Sequence, residues 1–357
     1  MKKLIITLLA ALLCGQILFA QVYTEASSLT LTGKLMPTPN PYHRVDTVKY
    51  KGFTPGENRQ VRASAGMAVA FVTDSPYILV KAGGDLSYNS PNTMRLASIG
   101  FDLYIRKDGQ WLWAGAGAPN PKKLQEPAKI VQHMAPGVMR ECLLYLPIYS
   151  DLSSVQIGIK EGCTIKAMEN PFRHRVAIFG SSFTHGISTS RAGMAYPSQF
   201  SRHTGIQMLS LGCSGNCKMQ TYFADVLADV DADAFVFDAF SNPRAKMIEE
   251  RLFPFIERMQ AAHPGKPLIF QQTIYRERCN FDQDHKAVEE AKRHMADSLM
   301  KIAVKKYKDV YFITPSAQDK LHESSVDGVH PDDYGYYLWS KSIEKPLLKI
   351  LKKYGIK

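Results

Sequence analysis

The sequence predicts a two-part molecule: an all-β sandwich followed by a parallel α/β layer. Three observations carry this. Up to about residue 172 the chain is built from short strands with turn signals between them. From about residue 173 short apolar runs alternate with segments long enough for helices. Asn170-Pro171 breaks the chain between the two regimes. A chain of 357 residues, 45% of them hydrophobic, has the length for two such units and the composition to bury a core in each.

The first twenty residues stand apart from both. "MKKLIITLLAALLCGQILFAQ" runs from two lysines through an apolar stretch to Ala20, the pattern of a secretory signal peptide with cleavage expected after Ala20. The stretch is too short and too abruptly ended for a membrane span. Cys14 is disfavoured as a lipid anchor because bulky Leu13 precedes it. The expected units are therefore a leader at 1–20, a sandwich at 21–172 and an α/β unit at 173–357, in a protein exported to a periplasm or cell surface.

Losing the two leader lysines lowers the formal charge from +11 to +9. Lys and Arg are dispersed, without an arginine-rich arm or zinc-finger spacing, so the charge reads as a solvated basic surface and not a nucleic-acid interface. It would suit attraction of acidic polysaccharides. Cys142, Cys163, Cys213, Cys217 and Cys279 remain after cleavage, too few for a disulfide framework in a chain this long. Cys142 with Cys163 and Cys213 with Cys217 are open as pairs, because geometry decides them.

In the first region "MAVAFVTDSPYILVKAG" gives two strands, and "SIGFDLYIRKDGQWLWAGAG" gives two more joined by Asp108-Gly109, a hairpin dipeptide. "ECLLYLPIYS" and "VQIGIKEGCTIKAM" continue the pattern, with no helical stretch expected between strands. Trp111 and Trp113 share one strand face, read as sandwich core ahead of a sugar platform. In the second region the strands are "RVAIFG", "IQMLSLG", "DAFVFDAF", "PLIFQQT" and "VYFITP". Parallel sheets bind ligands at the carboxyl ends of their strands, so those loops hold the candidates.

After the first strand comes "GSSFTHG", with Ser182 a candidate nucleophile. A serine in a turn says little alone; it needs a base to take its proton and a carboxylate to orient that base. "DGVHP" supplies His330 and Asp327 three residues apart, with Pro331 expected to open a final helix. After the second strand "LGCSG" places Gly215, and after the third "FSNP" places Asn242. With the Ser182 N–H these are candidate donors to an oxyanion. His185 is read as pocket lining or exposed, and Asp238 as a buried structural carboxylate. Arg276 and Arg278 are read as loop residues that border the site.

Ser182, Gly215, Asn242 and His330 in that order resemble the SGNH hydrolases, or GDSL esterases, over roughly residues 174–354. "GFDLY" at 100–104 resembles the GxDLY motif of a β-sandwich found ahead of such hydrolases in Bacteroidetes. The resemblance implies a flavodoxin-like fold for the second unit and a serine esterase that needs no metal or organic cofactor. Ser182, Asp327 and His330 would be catalytic, with Ser182, Gly215 and Asn242 forming the oxyanion hole. The sequence departs from the family in Gly180-Ser181-Ser182, where Gly-Asp-Ser is usual, and in Asn242-Pro243, where Asn-Asp is usual. The expected substrates are short-chain esters, acetyl on carbohydrate first, as a small molecule or a glycan. Lysophospholipase or thioesterase activity and a catalytically silent glycan-binding protein are the alternatives. Oligomeric state is not legible.

Overall fold

The computed structural model describes residues 21–357 apart from Pro121 and Leu124. The expected leader, with Cys14 in it, lies outside the described residues.

The N-terminal part builds two antiparallel sheets. Its elements are β1 (Gln21–Glu25), β2 (Thr30–Thr32), α1 (Pro55–Arg62), β3 (Ala68–Thr73), β4 (Ile78–Asp85), α2 (Arg95–Ser98), β5 (Phe101–Lys107), β6 (Gln110–Gly117), β7 (Ala128–Val131), β8 (Arg140–Tyr145), β9 (Asp151–Lys160) and β10 (Ile165–Ala167). One sheet has the order β1-β9-β4-β7; the other runs β10-β3-β8-β5-β6, with β2 also on β3. Their facing sides bury Phe71, Val80, Phe101, Leu103, Leu144 and Ile157. At the predicted hairpin Asp108 and Gly109 both take positive φ, as a two-residue I′ turn requires.

Helix α1 departs from the all-β expectation. Its signal is visible in retrospect: Thr54 accepts from the Glu57 N–H, Glu57 reaches back to the Thr54 N–H, and Pro55 occupies the first turn. Val61 on this helix packs with Leu35, Met36 and Val45 into the core of the second part, so these four side chains of the 33–63 segment serve the α/β layer.

That layer contains β11 (Arg173–Gly180), α3 (Ser182–His185), α4 (Tyr196–Thr204), β12 (Ile206–Gly212), α5 (Thr221–Ala228), β13 (Ala234–Asp238), α6 (Ala245–Ala262), β14 (Leu268–Gln271), α7 (Gln283–Lys306), β15 (Val310–Ile313) and α8 (Asp333–Lys352). The strands pair in parallel in the order β12-β11-β13-β14-β15, the doubly wound arrangement expected. The strands are apolar on both faces because helices cover both. On α6, Ile248, Leu252, Phe255, Ile256 and Met259 repeat at helical spacing and bury one stripe. On the other face α8 buries Trp339, whose ring stacks on Tyr196 with centroids 4.5 Å apart. The final helix starts at Asp333, capped by Asp332, so Pro331 lies just ahead of it and not in its first turn.

Asp102 and Tyr104 of the GxDLY motif face the second part, while Leu103 stays in the sandwich core. Asp102, fully buried, accepts from Arg191 Nη1 at 3.0 Å, the Gly193 N–H at 2.9 Å and Trp113 Nε1 at 3.1 Å. Tyr104 lies under the Arg202 guanidinium, 3.9 Å from ring centre to carbon. The motif thus anchors the loop between α3 and α4. Trp113 corrects the core reading: it is 56% exposed, and Trp111 packs on the outer, interdomain side of its sheet. The five cysteines within the described residues are free, so neither open pairing forms.

Candidate functional site

The site forms where β12, β11 and β13 end side by side. Gly180 is paired with Gly212 on one side and with Asp238 on the other, so the loops after these strands emerge together. A Cβ at Gly180 would sit 2.0 Å from Thr184 Oγ1, and one at Gly212 would sit 2.2 Å from the His185 nitrogen. Glycines there let α3 fold directly back over the strand ends. Ser181 caps that helix by accepting from the Phe183 N–H, which leaves Ser182 at its first position with its side chain at the mouth.

Ser182 Oγ lies 3.0 Å from His330 Nε2. His330 Nδ1 lies 2.8 Å from Asp327 Oδ2. An ionised carboxylate only accepts, so Nδ1 carries the proton and Nε2 is free to accept from the serine hydroxyl. Asp327 Oδ1 accepts from the backbone N–H groups of Val329 and His330 at 2.9 and 2.8 Å. Burial pushes the Asp327 carboxyl up, but the hydrogen bonds from the His330 side chain, the His330 backbone and Asn92 outweigh it and hold it well below the usual carboxylate range.

Gly215 takes φ +73° at the third position of a turn closed by the Asn216 N–H on the Cys213 carbonyl, and a Cβ there would meet open space. Asn242 Oδ1 accepts from the Cys217 N–H at 3.1 Å, which directs its Nδ2 amide away from that turn's backbone. The Ser182 N–H, as the first of a helix, has no intrahelical acceptor. The structure therefore brings His330 and Asp327 onto Ser182, and places Gly215 and Asn242 in the loops after the two strands that flank β11.

Asp238 is fully buried and structural, as expected. Its Oδ2 accepts from the Ser181 N–H at 3.0 Å, Ser181 Oγ at 2.6 Å and Thr184 Oγ1 at 3.1 Å. Its Oδ1 accepts from Ser241 Oγ at 2.6 Å. Burial pushes this carboxyl up against those donors. One carboxylate thus ties the Ser182 turn to the Asn242 loop, and Ser181 stands where the family usually carries an acid.

His185 is neither pocket lining nor exposed. It is buried, 2.6 Å from the Ile148 carbonyl and stacked on Tyr149, and burial holds its imidazole well below its usual range. Arg276 is bound to Glu289 at 3.0 Å and donates to the Ser241 carbonyl at 2.7 Å. Lys292 donates to the same carbonyl at 3.1 Å. These cations brace the Asn242 loop from behind, whereas Arg278 is exposed and paired with Asp282. Neither Lys292 nor Asn92, which reaches Asp327 from the sandwich, carries a signal in the sequence. A cavity of about 510 Å³ between α5 and α6 is lined by Met219, Tyr222, Pro254 and Phe255 and shares no residue with this site.

Residues 173–348 match the GDSL-like lipase/acylhydrolase family, and residues 21–165 match the N-terminal domain of SGNH-hydrolase-type esterases that carries the GxDLY motif. A GDSL-like lipase structure from Bacteroides ovatus is 38% identical, with a TM-score of 0.87 over 93% of this chain and 98% of its own. The chain belongs to the GDSL-like family.

It is accordingly a serine ester hydrolase of the SGNH type. The fold alone is shared with two more distant structures. One is the salicylyl-acyltransferase SsfX3 of a tetracycline biosynthetic pathway, at 18% identity and TM-score 0.70, covering 93% of this chain and 98% of its own. The other is a family two carbohydrate esterase from Cellvibrio japonicus, at 10% identity and TM-score 0.55 over the same shares. No curated protein matches the sequence. No helix among the described residues is long and apolar enough to cross a membrane.

Proposed function

We propose that this GDSL-family protein is an exported esterase that removes short acyl groups, acetyl foremost, from carbohydrate, with Ser182, His330 and Asp327 as its triad. The observation that carries the chemistry is the unbroken chain from Ser182 Oγ through His330 to Asp327, at 3.0 and 2.8 Å. His330 Nε2 takes the hydroxyl proton as Ser182 Oγ attacks the ester carbonyl. The Ser182 N–H, the Gly215 N–H and Asn242 Nδ2 receive the oxyanion; one such donor is typically worth about 10²–10³ in rate. The C–O bond to the alcohol then breaks, and His330 returns its proton to the leaving oxygen. Water, deprotonated by the same imidazole, releases the acid from the acyl-enzyme.

Export rests on the leader sequence. The sugar alcohol rests on fold relatives that are carbohydrate esterases, among them an acetyl xylan esterase from Butyrivibrio proteoclasticus. The test is hydrolysis of p-nitrophenyl esters of increasing chain length by wild type and Ser182→Ala. Turnover should fall steeply beyond short chains and drop by at least about 10³-fold in the variant, since triad residues act as a unit. Preference for long chains would move the substrate to lipids, and undiminished turnover by Ser182→Ala would remove the serine from the mechanism.

A further inference from the structure

The carboxylate of the proposed triad is not held by its own half of the chain alone. Asn92 lies between β4 and α2, in the sandwich, 235 residues before Asp327. Its Nδ2 donates to Asp327 Oδ2 at 2.8 Å, the same oxygen that accepts from His330 Nδ1. Chemistry fixes the orientation of the amide. Ser90 Oγ donates to Asn92 Oδ1 at 2.7 Å, and the carboxylate can only accept, so the NH₂ group faces Asp327.

The segment that carries Asn92 is fastened on several sides. Arg59 donates to Ser87 Oγ at 3.1 Å. Tyr88 stacks on Tyr149 with centroids 4.0 Å apart and planes 8° from parallel. The Tyr149 hydroxyl is in turn 2.6 Å from Ser214 Oγ, beside Gly215. The loop is thus keyed to the α/β layer at two points, directly at Asp327 and through Tyr149 at Ser214.

We propose that Asn92 is a positioning residue through which the sandwich completes the triad; this rests on the reading of Ser182, His330 and Asp327 as that triad. Asp327 Oδ1 is already occupied by the Val329 and His330 N–H groups. With Oδ2 also held from two directions, the carboxylate cannot rotate away from the imidazole, although its side chain is 32% exposed and would otherwise turn to water. Truncation of Asn92 frees that rotation and loosens the alignment of Nε2 on Ser182. The loss falls on the chemical step, so kcat should change and KM should not.

Replacing Asn92 by Asp has a different signature. It exchanges the donor for a second carboxylate beside Asp327, which favours the protonated imidazole. A merely structural loop residue would tolerate this nearly isosteric change with no movement of the pH profile.

The experiment uses the mature chain as wild type, Ser182→Ala, Asn92→Leu and Asn92→Asp, with p-nitrophenyl acetate between about pH 5 and 9. Asn92→Leu should lower kcat by about tenfold with KM nearly unchanged, a fraction of the ~10⁴ that loss of a triad acid function costs. Asn92→Asp should move the acid limb of kcat/KM up by about one pH unit. If both variants keep kcat within about twofold and the limb stays in place while wild-type turnover still requires Ser182, the positioning role is overturned and the esterase reading stands. If Ser182→Ala turns over as wild type does, the esterase reading falls first and takes the role of Asn92 with it.

Discussion

Replacing Ser181 by the aspartate that GDSL enzymes usually carry there should destabilise this protein, and by an amount that depends on pH. Ser181 Oγ is 2.6 Å from Asp238 Oδ2, and both residues are fully buried. A second carboxylate would lie about 3 Å from the first, and two charges at that separation repel by about 5 kcal/mol at an effective dielectric constant of 20. Keeping one proton on the pair costs less: holding an ordinary carboxyl neutral at pH 7 costs about 4 kcal/mol. The folded variant therefore carries one more proton than its unfolded chain between pH 5 and 7, and its stability falls as pH rises, by about 1.4 kcal/mol per unit. Overpacking adds a cost of about 1–3 kcal/mol that does not depend on pH.

Urea unfolding of wild type and Ser181→Asp, followed by circular dichroism, measures both parts. Between pH 5 and 7 the difference between the two proteins should grow by about 2.7 kcal/mol whatever the packing cost. The double variant with Asp238→Asn should lose that pH dependence, because only one carboxyl remains. A penalty equal at the two pH values, or a variant as stable as wild type at pH 7, would refute the idea that this chain has moved the buried acid from residue 181 to residue 238.

Asp102→Ala removes the buried partner of Arg191 and leaves the Gly193 N–H without its acceptor; breaking such a pair costs about 3–5 kcal/mol, at the low end here because Arg191 can still reach water. Denaturant unfolding with proteolysis of the 188–195 loop reads it, and a loss under about 1 kcal/mol would mean the GxDLY carboxylate does not anchor that loop. Asp327 is held below the usual carboxylate range in the folded state, so the stability it contributes is complete above the unfolded value and is lost as pH falls through the folded one. Asp327→Asn should accordingly cost on the order of 1 kcal/mol at pH 7, given its exposure, and clearly less near pH 2, while kcat falls by about 10⁴. Equal destabilisation at both pH values would show that the loop, not the charge, is what the substitution disturbs.

Much of this architecture was legible because it depends on local chemistry. Runs such as "IQMLSLG", short, apolar and bounded by glycine, read as strands covered on both faces, and Asp108-Gly109 suits a tight hairpin. Ser182, Gly215, Asn242, Asp327 and His330 could be put forward as candidates because a parallel sheet delivers the residues after its strands to one edge whatever the loops contain. What escaped was long-range or reciprocal. Helix α1 carried a readable capping box but sits in a region of β grammar, and its Val61 finds its core in the other half. His185 followed the candidate nucleophile closely and invited a place in the pocket, yet the interface with the sandwich buries it.

The sequence by itself determined the strands and helices, the order of the chemical blocks and the residue types at the strand ends, since periodicity, turn preference and hydrogen-bonding capacity are properties of short segments. Only the tertiary structure decided which partner each of those groups meets. Ser181 found Asp238, Asp102 found Arg191, and Asn92 found Asp327 across 235 residues. Such contacts leave no trace in local spacing, because they arise only when segments distant in the chain pack together and each donor must find its acceptor there.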